Sequence, residues 1–254
     1  SEATTNFAVG DITVTGGTLS NFASSSSTVY TATFTASSNG ATSIDVAAGT
    51  YTDATGNSNT EATQFTWTMD AVPPTMVVTS STVSNGDTSN DSSIALTFTS
   101  SEATTNFAEA DITVSGGSLS SFTEASSTVY TATFTPSSDG VTTIDTGAAT
   151  FTDAYGNDNT AASQFSWTYD STAPALAAVS SISTPSSDAT PSFVFSSDEA
   201  GTISTSVNEG FSTSSSAIVG NNTITFNSLN DGTYSGETVT VTDAVGNAAS
   251  IIMA

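Results

Sequence analysis

Asp53, Asn57 and Asn59 set carboxylate and amide oxygens at spacings of four and two residues. The same set returns as Asp153, Asn157 and Asn159 and, in shortened form, as Asp243 and Asn247. Oxygens of this kind suit a hard cation such as Ca²⁺, which takes roughly six to eight of them from carboxylates, amides and backbone carbonyls alike. The segment they share, Asp-Ala-x-Gly-Asn, reads equally well as a turn, with Gly at positive φ and Asp or Asn bonded to the local backbone. No Asp-x-Asp-x-Asp-Gly loop occurs, so EF-hand coordination is not supported. Two further acids, Asp70 and Asp170, open the proline-bearing segments Asp70-Ala-Val-Pro-Pro74 and Asp170-Ser-Thr-Ala-Pro174. There a cation would bridge the end of one domain to a loop of the next; the alternative is a solvated linker charge. Asp11 and Asp111 read as turn residues at strand starts.

Cation binding is also what the charge balance asks for. The 254 residues carry 24 Asp plus Glu and no Lys, Arg, His or Cys, a formal charge of −24. Every acid must be solvated, hydrogen-bonded or neutralised by a bound cation, and salt or divalent ions relieve the self-repulsion. Nucleic-acid binding is disfavoured because nothing neutralises phosphate, and attraction to an anionic membrane fails for the same reason. A Ser-His-Asp triad, a Cys nucleophile, a Schiff-base lysine and a thiolate or imidazole zinc site each lack a required residue. Carboxylate-pair glycoside hydrolysis remains, but it needs one unequal pair in a cleft, whereas these acids recur at matching positions. The chain is therefore expected not to be an enzyme. No apolar run approaches a membrane span and no signal peptide is present. Without Lys or Arg, trypsin-like proteases have no cleavage site, which suits an exposed extracellular protein.

What must position the acids is a repeat. Of the first 70 positions, 48 are identical a hundred residues later, from Ser1-Glu-Ala-Thr-Thr-Asn-Phe-Ala8 at Ser101–Ala108 to Gln64-Phe65-x-Trp67 at Gln164–Trp167. Repetition at a fixed period marks a tandem array of one structural unit. Ser and Thr exceed a third of the residues, yet spaced aromatic and β-branched residues argue against disorder. Alternation at period two recurs: Tyr130, Ala132 and Phe134; Ile94, Leu96 and Phe98; Phe165, Trp167 and Tyr169 each fall on one face. Trp67 and Trp167 are expected in the core with Phe65 and Phe165. Gly16-Gly17, Gly116-Gly117, Asn39-Gly40 and Asp139-Gly140 punctuate the strands as turns, and the Ser-rich runs at 24–27 and 212–216 read as loops. Short strands with turn signals at this spacing predict an all-β fold of tandem immunoglobulin-like β-sandwich domains in an extended array.

Prolines set the boundaries, because Pro cannot donate into a ladder. They divide the chain into 1–72, a domain lacking its first strands; 73–172, a complete domain; and 173–254, a shorter, divergent one. The sequence opens inside a repeat, so its first residue is not expected to be the natural N-terminus. In the last domain Phe193 and Phe195, Ile224 and Phe226, and Val239 and Val241 are the inward pairs.

The combination Asp-Ile-Thr-Val-x-Gly-Gly, Tyr-Thr-Ala-Thr-Phe-Thr and Thr-Asp-Ala-x-Gly-Asn before an Asp-x-x-x-Pro linker resembles the bacterial Ig-like repeats of very large secreted adhesins, including the RTX type. Asp198-Glu-Ala-Gly201, Asn222-Thr-Ile-Thr-Phe226 and Asp231-Gly-Thr-Tyr-Ser235 are similar to another Ig-like module of such arrays. The resemblance implies an extended, calcium-stiffened stalk at the bacterial cell surface or outside it. Its partners would be the neighbouring Ig-like domains of the same chain. Two alternatives stand beside the stalk. One is a subunit that binds copies of itself into a filament, a neighbour's strand filling the incomplete first domain. The other is a glycan- or surface-ligand-binding module in which an aromatic patch around Phe211 or Tyr234 would be the reader.

Overall fold

Alternating residues make strands here because β-branched and aromatic side chains pack on one pleated face while Ser and Thr keep the other wet. The structure, a computed structural model, describes residues 2–253. The chain divides into two compact units, Ser1–Pro74 with Thr152–Asp158, and Thr75–Phe151 with Asn159–Ala254. Apart from two three-residue 3₁₀ turns, the regular structure of the described residues is strand.

The first unit contains β1 (Thr13–Thr15), β2 (Gly17–Ser26), β3 (Val29–Ala36), β4 (Gly40–Asp45) and β5 (Phe65–Met69). They form a three-stranded sheet in the order β1-β4-β5 and a two-stranded sheet β2-β3, all antiparallel. The Ser run expected as a loop belongs largely to β2, where Ser24 opposes Tyr30 and Ser26 opposes Val29. The ladder to β3 decides its conformation, and its exposed position tolerates small polar side chains.

The second unit carries two hydrophobic cores. The first lies between strands β6 (Met76–Ser80), β7 (Thr88–Ser89), β8 (Ile94–Ser100), β9 (Ile112–Ser115), β10 (Gly117–Ser126), β11 (Val129–Pro136), β12 (Gly140–Thr146) and β13 (Phe165–Tyr169). Their sheets run β10-β11-β8-β6 and β7-β13-β12-β9. Across β8 and β11 the register sets Ile94 opposite Phe134, Leu96 opposite Ala132 and Phe98 opposite Tyr130, all of them buried. From the facing sheet come Ile112, Ile144, Phe165 and Trp167. This is the two-layer sandwich that the alternation predicts. The Gly-Gly signal has a defined cause: Gly116 adopts φ +77°, and a Cβ at Gly117 would collide with the Phe134 ring and the Thr135 carbonyl.

The second core lies between β14 (Leu176–Ala178), β15 (Ser192–Ser197), β16 (Gly201–Thr205), β17 (Ser216–Ala217), β18 (Gly220–Thr225), β19 (Thr238–Thr242) and β20 (Ala248–Ile252). The sheets run β14-β15-β18 and β17-β16-β19-β20. Phe193, Phe195, Ile224, Phe226, Val239 and Val241 are all buried, as the pairs predict. β5 ends at Met69 and β13 at Tyr169, short of the prolines at 73, 74 and 174.

Candidate functional site: the loop and linker joints

The Asp-Ala-x-Gly-Asn segments all fold as the same tight loop. Asp53 Oδ1 accepts the backbone N–H groups of Thr55 at 2.8 Å and Asn57 at 2.9 Å, while Oδ2 accepts Asn57 Nδ2 at 2.8 Å. Asp153 takes the N–H groups of Tyr155 and Asn157 and the Asn157 amide at 2.7 Å. Asp243 takes those of Val245, Gly246 and Asn247 and the Asn247 amide at 2.9 Å. Gly56, Gly156 and Gly246 all have positive φ. The turn reading of this motif therefore holds in every copy.

Donors converging on a carboxylate favour its charged form. The Asn57 side chain, followed by the Asn57 N–H, holds the Asp53 carboxyl far below its ordinary value. At Asp153 and Asp243 burial acts against ionisation, but the Asn157 or Asn247 donors and the loop N–H groups outweigh it, so both are lowered. Asp11 and Asp111 are turn residues as expected, each accepting a bond from the backbone N–H three residues earlier at 2.8 Å.

Asn59 and Asn159, expected among the cation-facing oxygens, hydrogen-bond to the backbone. Asn159 Oδ1 accepts the N–H groups of Thr150 at 2.8 Å and Phe151 at 3.0 Å; its Nδ2 donates to the carbonyls of Gly147 at 2.7 Å and Thr160 at 2.9 Å. Asn59 repeats the pattern with Thr50, Tyr51, Ala47 and Thr60. An amide oxygen that serves two N–H groups holds the chain crossing.

The linker acids are drawn to the loops. In the first unit Asn157 Nδ2 reaches the Asp70 carbonyl at 3.4 Å, and Asp70 and Asp153 bring carboxylate oxygens within 4.8 Å of one another. Asn39 exchanges bonds with the Asp70 carboxylate and the Ala71 N–H, both at 3.1 Å. The second unit repeats the arrangement with more ties. Asn247 Nδ2 donates to the Asp170 carbonyl at 3.0 Å, and Asn247 Oδ1 accepts Asn90 Nδ2 at 3.1 Å. Asp139 accepts the Ser171 N–H at 2.8 Å and the hydroxyls of Ser171 and Thr172, which lowers its pKa, the Thr172 hydroxyl acting most strongly. Asp198 accepts the Ala175 N–H at 2.6 Å. The linker between the two cores is thus gripped from both sides.

Glu199 is the joint residue that sequence reasoning missed. Its pKa is raised, first by burial and then by the surrounding charges of Asp170, Asp198, Asp243 and Asp139. The available signal was register: Asp198-Glu199-Ala200 aligns with Ser101-Glu102-Ala103, so an acid recurs there in successive domains. Phe211 and Tyr234, named for a ligand-reading patch, are half-buried and packed against the second core. No helix among the described residues is long and apolar enough to cross a membrane.

A family model described as the bacterial Ig-like domain matches residues 1–68 and 70–169. The chain belongs to that family. Among solved structures it is similar to invasin, described as a bacterial integrin-binding protein, at 16% identity and a TM-score of 0.41, covering 94% of this chain and 50% of that one. It therefore spans half the length of the invasin chain. It is also similar to Yersinia pseudotuberculosis InvD, at 18% identity and a TM-score of 0.36, covering 96% of this chain and 86% of that one. The adhesin InvE of the same organism is similar at 15% identity and a TM-score of 0.28, covering 70% of this chain and 57% of that one. No curated protein matches the chain.

Proposed function

We propose that these tandem Ig-like domains serve as a shaft or spacer segment of an extracellular bacterial adhesin or surface fibre, with Ca²⁺ stiffening the joints. The observation that carries the reading is the joint itself. An asparagine of the Asp-Ala-x-Gly-Asn loop donates to the carbonyl of the linker aspartate at 157 to 70 and again at 247 to 170. A connection that recurs in this form transmits direction along an array, which a spacer needs and a single binding site does not. Proline-bearing linkers further limit bending.

The calcium part rests on electrostatics. Burial is the first cost of charging Glu199 and the charges of Asp170, Asp198 and Asp243 add to it, with no basic residue anywhere in the chain to offset them. A divalent cation among these carboxylates would convert mutual repulsion into attraction, with Asp70 and Asp153 offering the corresponding pair in the first unit. The acids recur at joints instead of gathering as one unequal pair, which fits a non-catalytic module. Phe211 and Tyr234 are half-buried and packed against the second core, which favours the shaft over the glycan-reading alternative.

The test is small-angle scattering and thermal melting of the full chain with Ca²⁺ and after excess chelator. Chelation is expected to shorten the maximum dimension and lower Tm, and Glu199→Gln to blunt the response. If chelator changes neither, the calcium part fails. If the particle is compact in both conditions, the shaft reading fails.

A further inference from the structure

The segment 85–89 lies along one edge of β13 and runs in the same direction, with Thr88 opposite Thr168 and Ser89 opposite Tyr169. Among the described residues this is the one parallel pair of strands. Bonds join the two along the whole overlap. Ser166 N–H donates to Asn85 Oδ1 at 2.7 Å and Gly86 N–H to the Ser166 carbonyl at 2.7 Å. Thr168 N–H donates to the Asp87 carbonyl at 2.8 Å and Asp170 N–H to the Ser89 carbonyl at 3.0 Å. The other edge of β13 pairs with β12 over five positions, so β13 is held on both sides.

Direction decides what such a ladder withstands. Because the strands are parallel, the chain enters the ladder at Asn85, beside Ser166, and leaves β13 at Asp170, beside Ser89, at the opposite end. Tension between the linker before β6 and the linker after β13 therefore drags the two strands lengthwise past each other, and all four bonds resist at once. Peeled from one end, the same bonds would break one at a time. β6 takes the first load through its five positions with β8 and passes it to 85–89 once it is drawn off. The module built on β14–β20 has no such tie: β14 pairs with β15 alone and β20 with β19 alone, and among the described residues no strand pair joins its first strand to its last.

We infer that the parallel ladder of 85–89 with β13 is a mechanical clamp that lets the module of β6–β13 withstand tension along the chain, while the module of β14–β20 yields first. The inference rests on the shaft reading for its use, since a shaft is pulled along its length, but the clamp itself is a property of the fold. Resistance to pulling is set by the barrier to unfolding and not by equilibrium stability.

The chain has no Cys, so introduced cysteines give unique handles for optical tweezers. With Val72→Cys and a cysteine appended after residue 254, the full chain is stretched through both modules while residues 1–71 carry no load. Each freed residue adds about 3.5 Å, so the steps for 73–172 and 173–254 differ by roughly 60 Å and are told apart by size. The shorter step is expected first, and the longer one at about twofold higher force or more. Handles at Ser92→Cys and Ala173→Cys, both at the Ser89 and Asp170 end, peel the ladder instead, and the force on the same module is expected to fall about twofold or more. Asn85→Ala, at an exposed side chain, is expected to lower the lengthwise force and leave the peeling force unchanged. The inference is overturned if the longer step comes at the same or lower force than the shorter, if lengthwise and peeling forces are equal, or if Asn85→Ala affects both directions alike. The order of steps is expected to be the same in Ca²⁺ and in chelator, so failure of the calcium part leaves the clamp standing. A particle that is compact in scattering yet shows this order would end the shaft reading and not the clamp.

Discussion

Phe65 and Phe165 occupy the same place in the same motif, Gln-Phe-x-Trp-Thr, and meet opposite fates: one is 65% exposed and the other 4%. The strands that carry them, β5 and β13, pair in the same register, with Ile44 opposite Phe65 and Ile144 opposite Phe165. What differs is the neighbours. In the second unit β6 and β8 complete the facing sheet and close the core; in the first that sheet has two strands. A strand's sequence decides which side chains share a face. Whether the face is buried depends on other strands, distant in the chain.

The largest test of this contrast is a matched pair of truncations. Phe165→Ala removes a buried ring and should cost about 3–5 kcal/mol in urea unfolding. Phe65→Ala should cost less than about 1 kcal/mol, because little is lost from an exposed site. Equal costs would break the comparison.

A second pair concerns the backbone-bonded asparagines. Asn159, 3% exposed, when replaced by Ala takes the acceptor from the Thr150 and Phe151 N–H groups and the amide donor from the Gly147 and Thr160 carbonyls, and should lose about 2 kcal/mol or more. Asn59→Ala breaks the same bonds where water can replace them, so its cost should be visibly smaller, read from the same unfolding curves.

The smallest effect is a difference in pH response without Ca²⁺. Asp53, Asp153 and Asp243 have folded pKa values below the ordinary carboxylate range, so the stability they give is present above about pH 4 and is lost as pH falls through the folded values. Glu199 is shifted the other way: its charge is penalised in the folded state, and the penalty lifts as pH falls through its raised pKa towards the ordinary value. The second unit should therefore gain stability on mild acidification before losing it in stronger acid, whereas the first should only lose it. Melting followed through Trp167 in a Trp67→Phe chain and through Trp67 in a Trp167→Phe chain reads the two separately. Identical profiles would remove Glu199 from the account.

Much of this was legible in the residues. Alternation placed Ile94, Leu96, Phe98, Phe134 and Trp167 in a core, and the Asp-Ala-x-Gly-Asn spacing marked loops that do meet the linker aspartates. Period two put Phe65 on the face of Trp67 but encodes a face and not its cover; the expectation of a core position for Phe65 did not take account of the strands that 1–72 lacks. Ser24 and Ser26 were read as loop because Ser has weak strand preference, and the pairing with Tyr30 and Val29 overrides it. Asn59 and Asn159 were ambiguous for a chemical reason: an amide oxygen that suits Ca²⁺ suits a pair of backbone N–H groups just as well. Glu199 escaped because its role comes from four acids spread between positions 139 and 243.

The claim that neighbouring strands, and not a strand's own residues, decide burial is tested most directly by amide hydrogen exchange on β3 and β11. Peptic fragments ending beyond Ala36 or Pro136 distinguish the two copies of this shared sequence. The expected result is that β11 amides are protected by orders of magnitude more than those of β3, because β11 is bonded on both edges and sits in a closed core. Equal protection of the two strands would contradict it.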